Sequence, residues 1–154
     1  MAEARKNEAV SLSRTRRTLP IALLRAREQL MDRFRPMLLS HGVTEQQWRV
    51  LRVLNENAEM DATDLAEKAC VLGPSLSRII KALEARALIH VGKHPKDGRR
   101  AVIKLSHEGQ QFVETVARES AAIYKTIEAK VGADRIGSVL NDLEELTAAL
   151  QSPD

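Results

Sequence analysis

Hydroxyls and cations, with few acids to neutralise them, crowd two short stretches of this chain. The first is Gly73-Pro74-Ser75-Leu76-Ser77-Arg78-Ile79-Ile80-Lys81, and the second is Lys93-His94-Pro95-Lys96-Asp97-Gly98-Arg99-Arg100. Hydroxyls reach phosphates or base edges, guanidinium groups bridge guanine bidentately, and ammonium groups neutralise phosphates. Such a set suits a groove of DNA and its flanking phosphates. Bond-making chemistry would need other residues. His41, His90, His94 and His107 form neither a helical i, i+4 pair nor a Cys/His cluster with zinc spacing. No nucleotide-binding glycine motif occurs, and Glu144-Glu145 fits a solvated helix face. No catalytic group, metal site or cofactor is expected, and with 3% aromatic residues a stacking platform for single-stranded RNA is not expected either.

The elements that position these groups follow from periodicity. At 100° per residue, Leu76, Ile79, Ile80 and Leu83 of a helix over 74–86 share one sector, which must face a core. Pro74, Ser77, Arg78, Lys81 and Ala85 then point away, with Ser75 flanking, and small Ala82 and Ala85 permit close approach. A short helix over 62–69, capped by Asp61, leads through the tight connection Val71-Leu72-Gly73 into it, a helix-turn-helix pattern. Residues 88–91 and 101–105 read as strands joined by Asp-Gly hairpin chemistry. Helix-turn-helix followed by hairpin is a winged helix. At the hairpin, Asp97 is expected to brace the guanidinium of Arg99 or Arg100 toward a narrow minor groove, with Lys93, His94 and Lys96 adding phosphate contacts.

Four more helices are predicted. Residues 19–41 carry Leu23, Leu24, Leu30, Met31, Phe34 and Leu38 on one stripe, with Pro36 expected to kink or end the regular part. Residues 45–56, behind the Thr44/Gln47 capping box, are apolar on several sides. Residues 106–131 and 134–150 carry long apolar stripes separated by Gly132. This is more apolar surface than a small winged helix can cover, and a homodimer would cover it. The expected organisation is mainly α with a small β-hairpin: a flexible basic arm at 1–18, helical dimerisation segments at 19–41 and 106–154, and a winged helix-turn-helix DNA-binding lobe at 42–105.

Composition agrees. The chain has 154 residues, 44% apolar and 29% charged, with a net charge of only +3, so local basic patches rather than a global field point to nucleic acid. Cys70 is the single cysteine, which excludes an intramolecular disulfide and fits a cytoplasmic protein. At a helix end between Ala69 and Val71 it is expected to be a buried, inert thiol. No secretory signal or membrane-spanning stretch is read.

The stretch from Asp97 to Ser106, Asp-Gly-Arg-Arg-Ala-Val-Ile-Lys-Leu-Ser, resembles the wing signature of the MarR family of bacterial transcription regulators, with Ser106 where threonine is usual. The helix order over 19–150 is similar to that family too. Leu24-Leu-Arg-Ala-Arg-Glu28, Phe34-Arg-Pro36, Thr44-Glu-Gln-Gln-Trp-Arg49 and Pro74-Ser-Leu76 resemble its subgroup of homoprotocatechuate (3,4-dihydroxyphenylacetate) degradation repressors. The resemblance implies a homodimer on an imperfect palindrome of double-stranded DNA, one helix of each subunit in the major groove and wings in the minor grooves. It implies that Arg99 is the wing arginine and Asp97 its brace, and that small aromatic anions release the DNA. The competing class is a winged-helix dimer that binds another protein.

Periodicity suggests where such an anion would bind. Arg27 lies at the centre of the apolar sector of helix 19–41. A charge there needs a partner: an acid elsewhere in the dimer, or the carboxylate of an arylacetate ligand gripped bidentately. His41, as a hydrogen-bond donor, and Trp48, as a flat wall, are the accompanying candidates.

Overall fold

The computed structural model describes residues 15–153. The expected basic arm at 1–18 therefore lies outside the described residues up to residue 14, and Thr15–Arg17 form a 3-10 turn. The elements are α1 (Leu19–Ser40), α2 (Glu45–Glu56), β1 (Met60–Asp61), α3 (Ala62–Ala69), α4 (Gly73–Ala85), β2 (Ile89–Lys93), β3 (Ala101–Leu105), α5 (His107–Val131) and α6 (Ala133–Gln151). The backbone divides into two units, Met1–Glu45 and Gln46–Asp154.

In the first unit, α1 begins with a proline in its first turn, where a missing N–H costs nothing. Pro36 does not end it: the helix continues to Ser40. Proline withholds one hydrogen bond from the carbonyl four residues back, but the last turn is held otherwise. Met37 and Leu38 are buried. Val43 N–H donates to the Leu38 carbonyl and Gly42 N–H to that of Leu39, with Gly42 in the left-handed region at φ 69°. This Schellman ending satisfies carbonyls a helix end leaves open.

In the second unit, α2 is buried on several sides through Trp48, Val50, Leu51 and Leu54. Leu65 of α3, Leu83 of α4, Ile103 of β3 and Val116 of α5 are fully buried with it. The hairpin pairs Ile89 with Leu105 and Lys93 with Ala101, so β2 begins one residue later and ends two residues later than the sequence suggests. A third strand, β1, adds to the other edge of β3 through Met60 opposite Ile103 and Asp61 opposite Val102. Two residues carry no periodicity, so β1 is invisible in the sequence.

The helices α3 and α4 end as α1 does, but without glycine. Cys70 (φ 52°) and Ala87 (φ 58°) adopt the left-handed conformation. Val71 N–H then reaches the Ala66 carbonyl, and Leu88 N–H that of Leu83. This geometry corrects the expected burial of Cys70. The left-handed turn leaves it exposed, while Ala69 and Val71 on either side take the inward positions.

Ser106 is the joint between wing and α5. Its buried hydroxyl donates to the Ala87 carbonyl at 2.6 Å and accepts the Gly109 N–H at 2.9 Å, capping α5. The α6 helix has no buried residue, and Val139, Leu140 and Leu150 are exposed on it. Among the described residues, no helix is long and apolar enough to cross a membrane.

Candidate DNA-binding surface and effector pocket

The α4 helix divides as its periodicity requires. Leu76, Ile79 and Leu83 are buried, while Pro74, Ser77, Arg78 and Lys81 are exposed and Ser75 is half-buried. Ser77 Oγ donates back to the Gly73 carbonyl at 3.4 Å. Arg78 and Lys81 form no ion pair among the described residues, so their charges face solvent unspent. An exposed cation with no intramolecular partner is available to a polyanion at no cost of breaking an existing pair.

The hairpin tip, residues 94–100, is built on local polar contacts. His94 N–H donates to the Arg100 carbonyl, and His94 Nδ1 accepts the N–H groups of Lys96 and Asp97 at 3.1 and 3.2 Å. The expected brace takes another form. Asp97 Oδ1 accepts the backbone N–H of Arg99 at 3.1 Å, not a guanidinium. A carboxylate two residues before a backbone N–H reaches it as an Asx turn, a shorter path than to the end of an arginine. The Arg99 side chain, with Lys93 and Lys96, is left exposed. The guanidinium of Arg100 turns the other way, to Asp61.

Asp61 thereby does two things at once. It caps α3 by accepting the Asp64 N–H at 2.8 Å, and it holds the hairpin through Arg100. The Asp64 amide first, and the Arg100 cation after it, hold its carboxyl below the usual carboxylate range. The register of β1 on β3 places these two residues within reach although they lie 39 apart in sequence.

Of the effector candidates, Arg27 and His41 lie in the first unit and Trp48 in the second. Arg27 is already paired, with Glu45 and more loosely with Glu28 at 3.5 Å, and its side chain is 44% exposed. Its acid is thus in its own chain. His41 caps the C-terminus of α1 and is half-buried. Trp48 is buried.

The second unit also holds a cleft the sequence reading missed. It measures about 450 Å³ and runs between Arg52 of α2 and one face of α5, Ala117, Ser120, Ala121, Tyr124, Lys125 and Glu128. Pockets for small ligands begin near this size, with a few polar groups set in an apolar wall. Ala117 and Ala121 leave room, Tyr124 offers a ring and a hydroxyl, and Lys125 stands beside Glu128 while Arg52 makes a long contact of 3.9 Å to Glu56. Arg52 follows Trp48 by one helical turn, so it shares that face of α2. The signal available in the sequence was this cation one turn beyond the single tryptophan, with the chain's single tyrosine on the stripe of α5.

A helix-turn-helix with a hairpin wing, presenting Arg78, Lys81, Lys96 and Arg99 with no ion pair among the described residues, defines a DNA-binding regulator. The MarR family model matches residues 43–101, from the turn before α2 to the first residue of β3. The HTH-type transcriptional regulator FarR of Neisseria gonorrhoeae is 38% identical over 138 residues, 88% of this chain and 94% of that protein. The homoprotocatechuate degradative operon repressor of Escherichia coli is 40% identical over 131 residues, 85% of this chain and 88% of that one. The crystal structure of NadR in complex with 4-hydroxyphenylacetate is similar at a TM-score of 0.75 and 40% identity, over 84% of this chain and 92% of that one. The chain belongs to the MarR family, and it is a transcriptional regulator rather than an enzyme.

Proposed function

We propose that this protein is a homodimeric repressor of aromatic-acid catabolism genes of the homoprotocatechuate and hydroxyphenylacetate type, acting in the cytoplasm and released from an imperfect palindrome by a small aromatic carboxylate. The observation that carries the reading is the Arg52/Tyr124/Lys125 cleft, in a chain 40% identical to NadR bound to 4-hydroxyphenylacetate. In this reading Pro74, Ser75, Ser77, Arg78 and Lys81 meet the major groove. Arg99 enters the minor groove, Lys96 meets phosphate, and Asp97 and Arg100 hold the wing in shape. The segments 19–41 and 106–154 form the dimer and 42–105 the DNA-binding lobe. Support for the dimer comes from the exposed Leu19, Leu23, Leu24 and Leu30 of α1 and from the absence of any buried residue on α6.

The effector carboxylate is assigned to Arg52 and Lys125 and its ring to the Tyr124 side; Trp48, the wall expected from the sequence, does not line the cleft. Arg27 is better read as an internal ion pair, since a ligand there would have to displace the close partner Glu45, whereas at Arg52 it would compete only with the long contact to Glu56 at 3.9 Å; His41 is better read as a helix cap. Binding acts on DNA only through differential affinity for two conformations; a tenfold loss of operator affinity needs about 1.4 kcal/mol. The single tryptophan, one helical turn before Arg52, is a reporter close to the site. Titration with 4-hydroxyphenylacetate, excited beyond the ligand's own absorbance, should change Trp48 emission in the wild type and in Arg27→Ala, but not in Arg52→Ala. Loss of the response in Arg27→Ala with retention in Arg52→Ala would return the site to Arg27.

A further inference from the structure

The start of α4 carries two residues that the fold does not ask for. The residue before Gly73 is the helix N-cap, a position where Ser, Thr, Asp or Asn stabilises the helix by accepting a backbone N–H. It is Leu72, which has no side-chain acceptor, and no side-chain cap bond is made. Its side chain is also 78% exposed, so it serves no core. Next to it, Gly73 needs no glycine: its φ is not in the left-handed region, and a Cβ added there would meet nothing within 4 Å. An exposed leucine in a capping position, followed by an unneeded glycine and the exposed ring of Pro74, makes an apolar edge with bare backbone beside it.

These residues lead directly into the exposed Ser77, Arg78 and Lys81. The N-terminal residues of a recognition helix are those that reach base edges, and the apolar group displayed in the major groove is the 5-methyl of thymine. We propose that Leu72 is a specificity-determining residue that packs on a thymine methyl in each half-site, with Gly73 letting the backbone come close. The proposal rests on the reading of Gly73–Ala85 as the groove-entering helix. It explains why the cap is given up: a hydrogen-bonding N-cap would stabilise α4, but it would put a polar group against a methyl.

The test uses the full-length protein on a duplex selected from a random-sequence library, with each thymine replaced in turn by deoxyuridine, which lacks only the methyl. Wild type should lose about fourfold in affinity for one such replacement in a half-site, and about 15-fold when both symmetric positions are changed. Leu72→Ala should bind the thymine duplex more weakly and no longer distinguish it from the deoxyuridine duplex. Leu72→Ser should melt higher than wild type, because the cap is restored, yet bind more weakly; a merely structural leucine would not separate the two readouts. Wild type indifferent to every deoxyuridine, with Arg78→Ala still weakening binding, would overturn the role of Leu72 and leave the groove helix standing. Failure of both Arg78→Ala and Leu72→Ala to alter binding would remove the groove helix itself, and this proposal with it.

Discussion

Arg99 and Arg100 are neighbours with different work. Arg99 has its backbone pinned by Asp97 and its side chain exposed, with no ion pair among the described residues, whereas Arg100 is bound to Asp61. Arg99→Ala should therefore weaken operator binding and lower the slope of log affinity against log salt by about one, as one phosphate-region cation is lost; anisotropy across a salt series checks this. An Arg99→Ala protein with unchanged slope would favour a protein-binding module instead. The Asp61 carboxyl is held below the ordinary range by the Asp64 amide and Arg100. A group with a depressed folded pKa contributes stability above its unfolded value and withdraws it as pH falls through the folded one. Asp61→Asn should thus flatten the decline in melting temperature between about pH 5 and 3, and at neutral pH it should melt lower than wild type. At this scale the faces of α4 were legible, because 100° per residue assigns Leu76, Ile79 and Leu83 inward without a structure. The partners of Arg27, Asp97 and Arg100 were not. An arginine can reach several acids, and only the backbone decides among them: the place of Glu45, the Asx turn at Asp97, and a register on β1 that two residues cannot announce.

The long helices, the helix-turn-helix and the hairpin strands followed from pattern, with boundaries within a residue or two, because caps are written in residue types; β1 did not. Asp61 and Ser106 are N-caps by chemistry, and Gly42 is a helix end. What the chain hides is where it uses a residue against type. Ala87 ends α4 in the left-handed region that favours glycine. Ala87→Gly should stabilise the protein by about 1 kcal/mol, the relief of left-handed strain less the added chain entropy, read by urea melts. Gly109 is the opposite case. Glycine inside a helix is normally worth replacing by alanine, but a Cβ here would lie 2.0 Å from the Leu88 carbonyl oxygen. Gly109→Ala should cost about 1–3 kcal/mol, because backbone rather than a flexible side chain must move. Gly109 lets α5 dock on the end of the wing, and the Ser106 hydroxyl locks it there. Gly109 thus carries a positional meaning that no period in the sequence reveals.

For the molecule as a whole, the stripes of α1 and α6 are the part of the architecture that a single chain leaves unfinished. Leu140→Arg, in the middle of a helix with no buried residue, should halve the mass seen by light scattering and abolish tight operator binding, with little change in helix content; a wild-type protein that is already monomeric would remove the dimer from the account. The winged helix was legible as a whole because turn chemistry and basic residues coincide in it. The cleft proposed for the effector was not, because its lining comes from α2 and α5 together, and Arg52 and Tyr124 are individually ordinary. The central claim, a repressor lifted from DNA by an aromatic acid, is tested most directly by fluorescence anisotropy on a duplex from the gene's own upstream region, with 4-hydroxyphenylacetate, 3,4-dihydroxyphenylacetate and salicylate added in turn. The account predicts specific binding released by an arylacetate in the wild type and no release in Arg52→Ala. Specific binding that none of the three acids disturbs would contradict it.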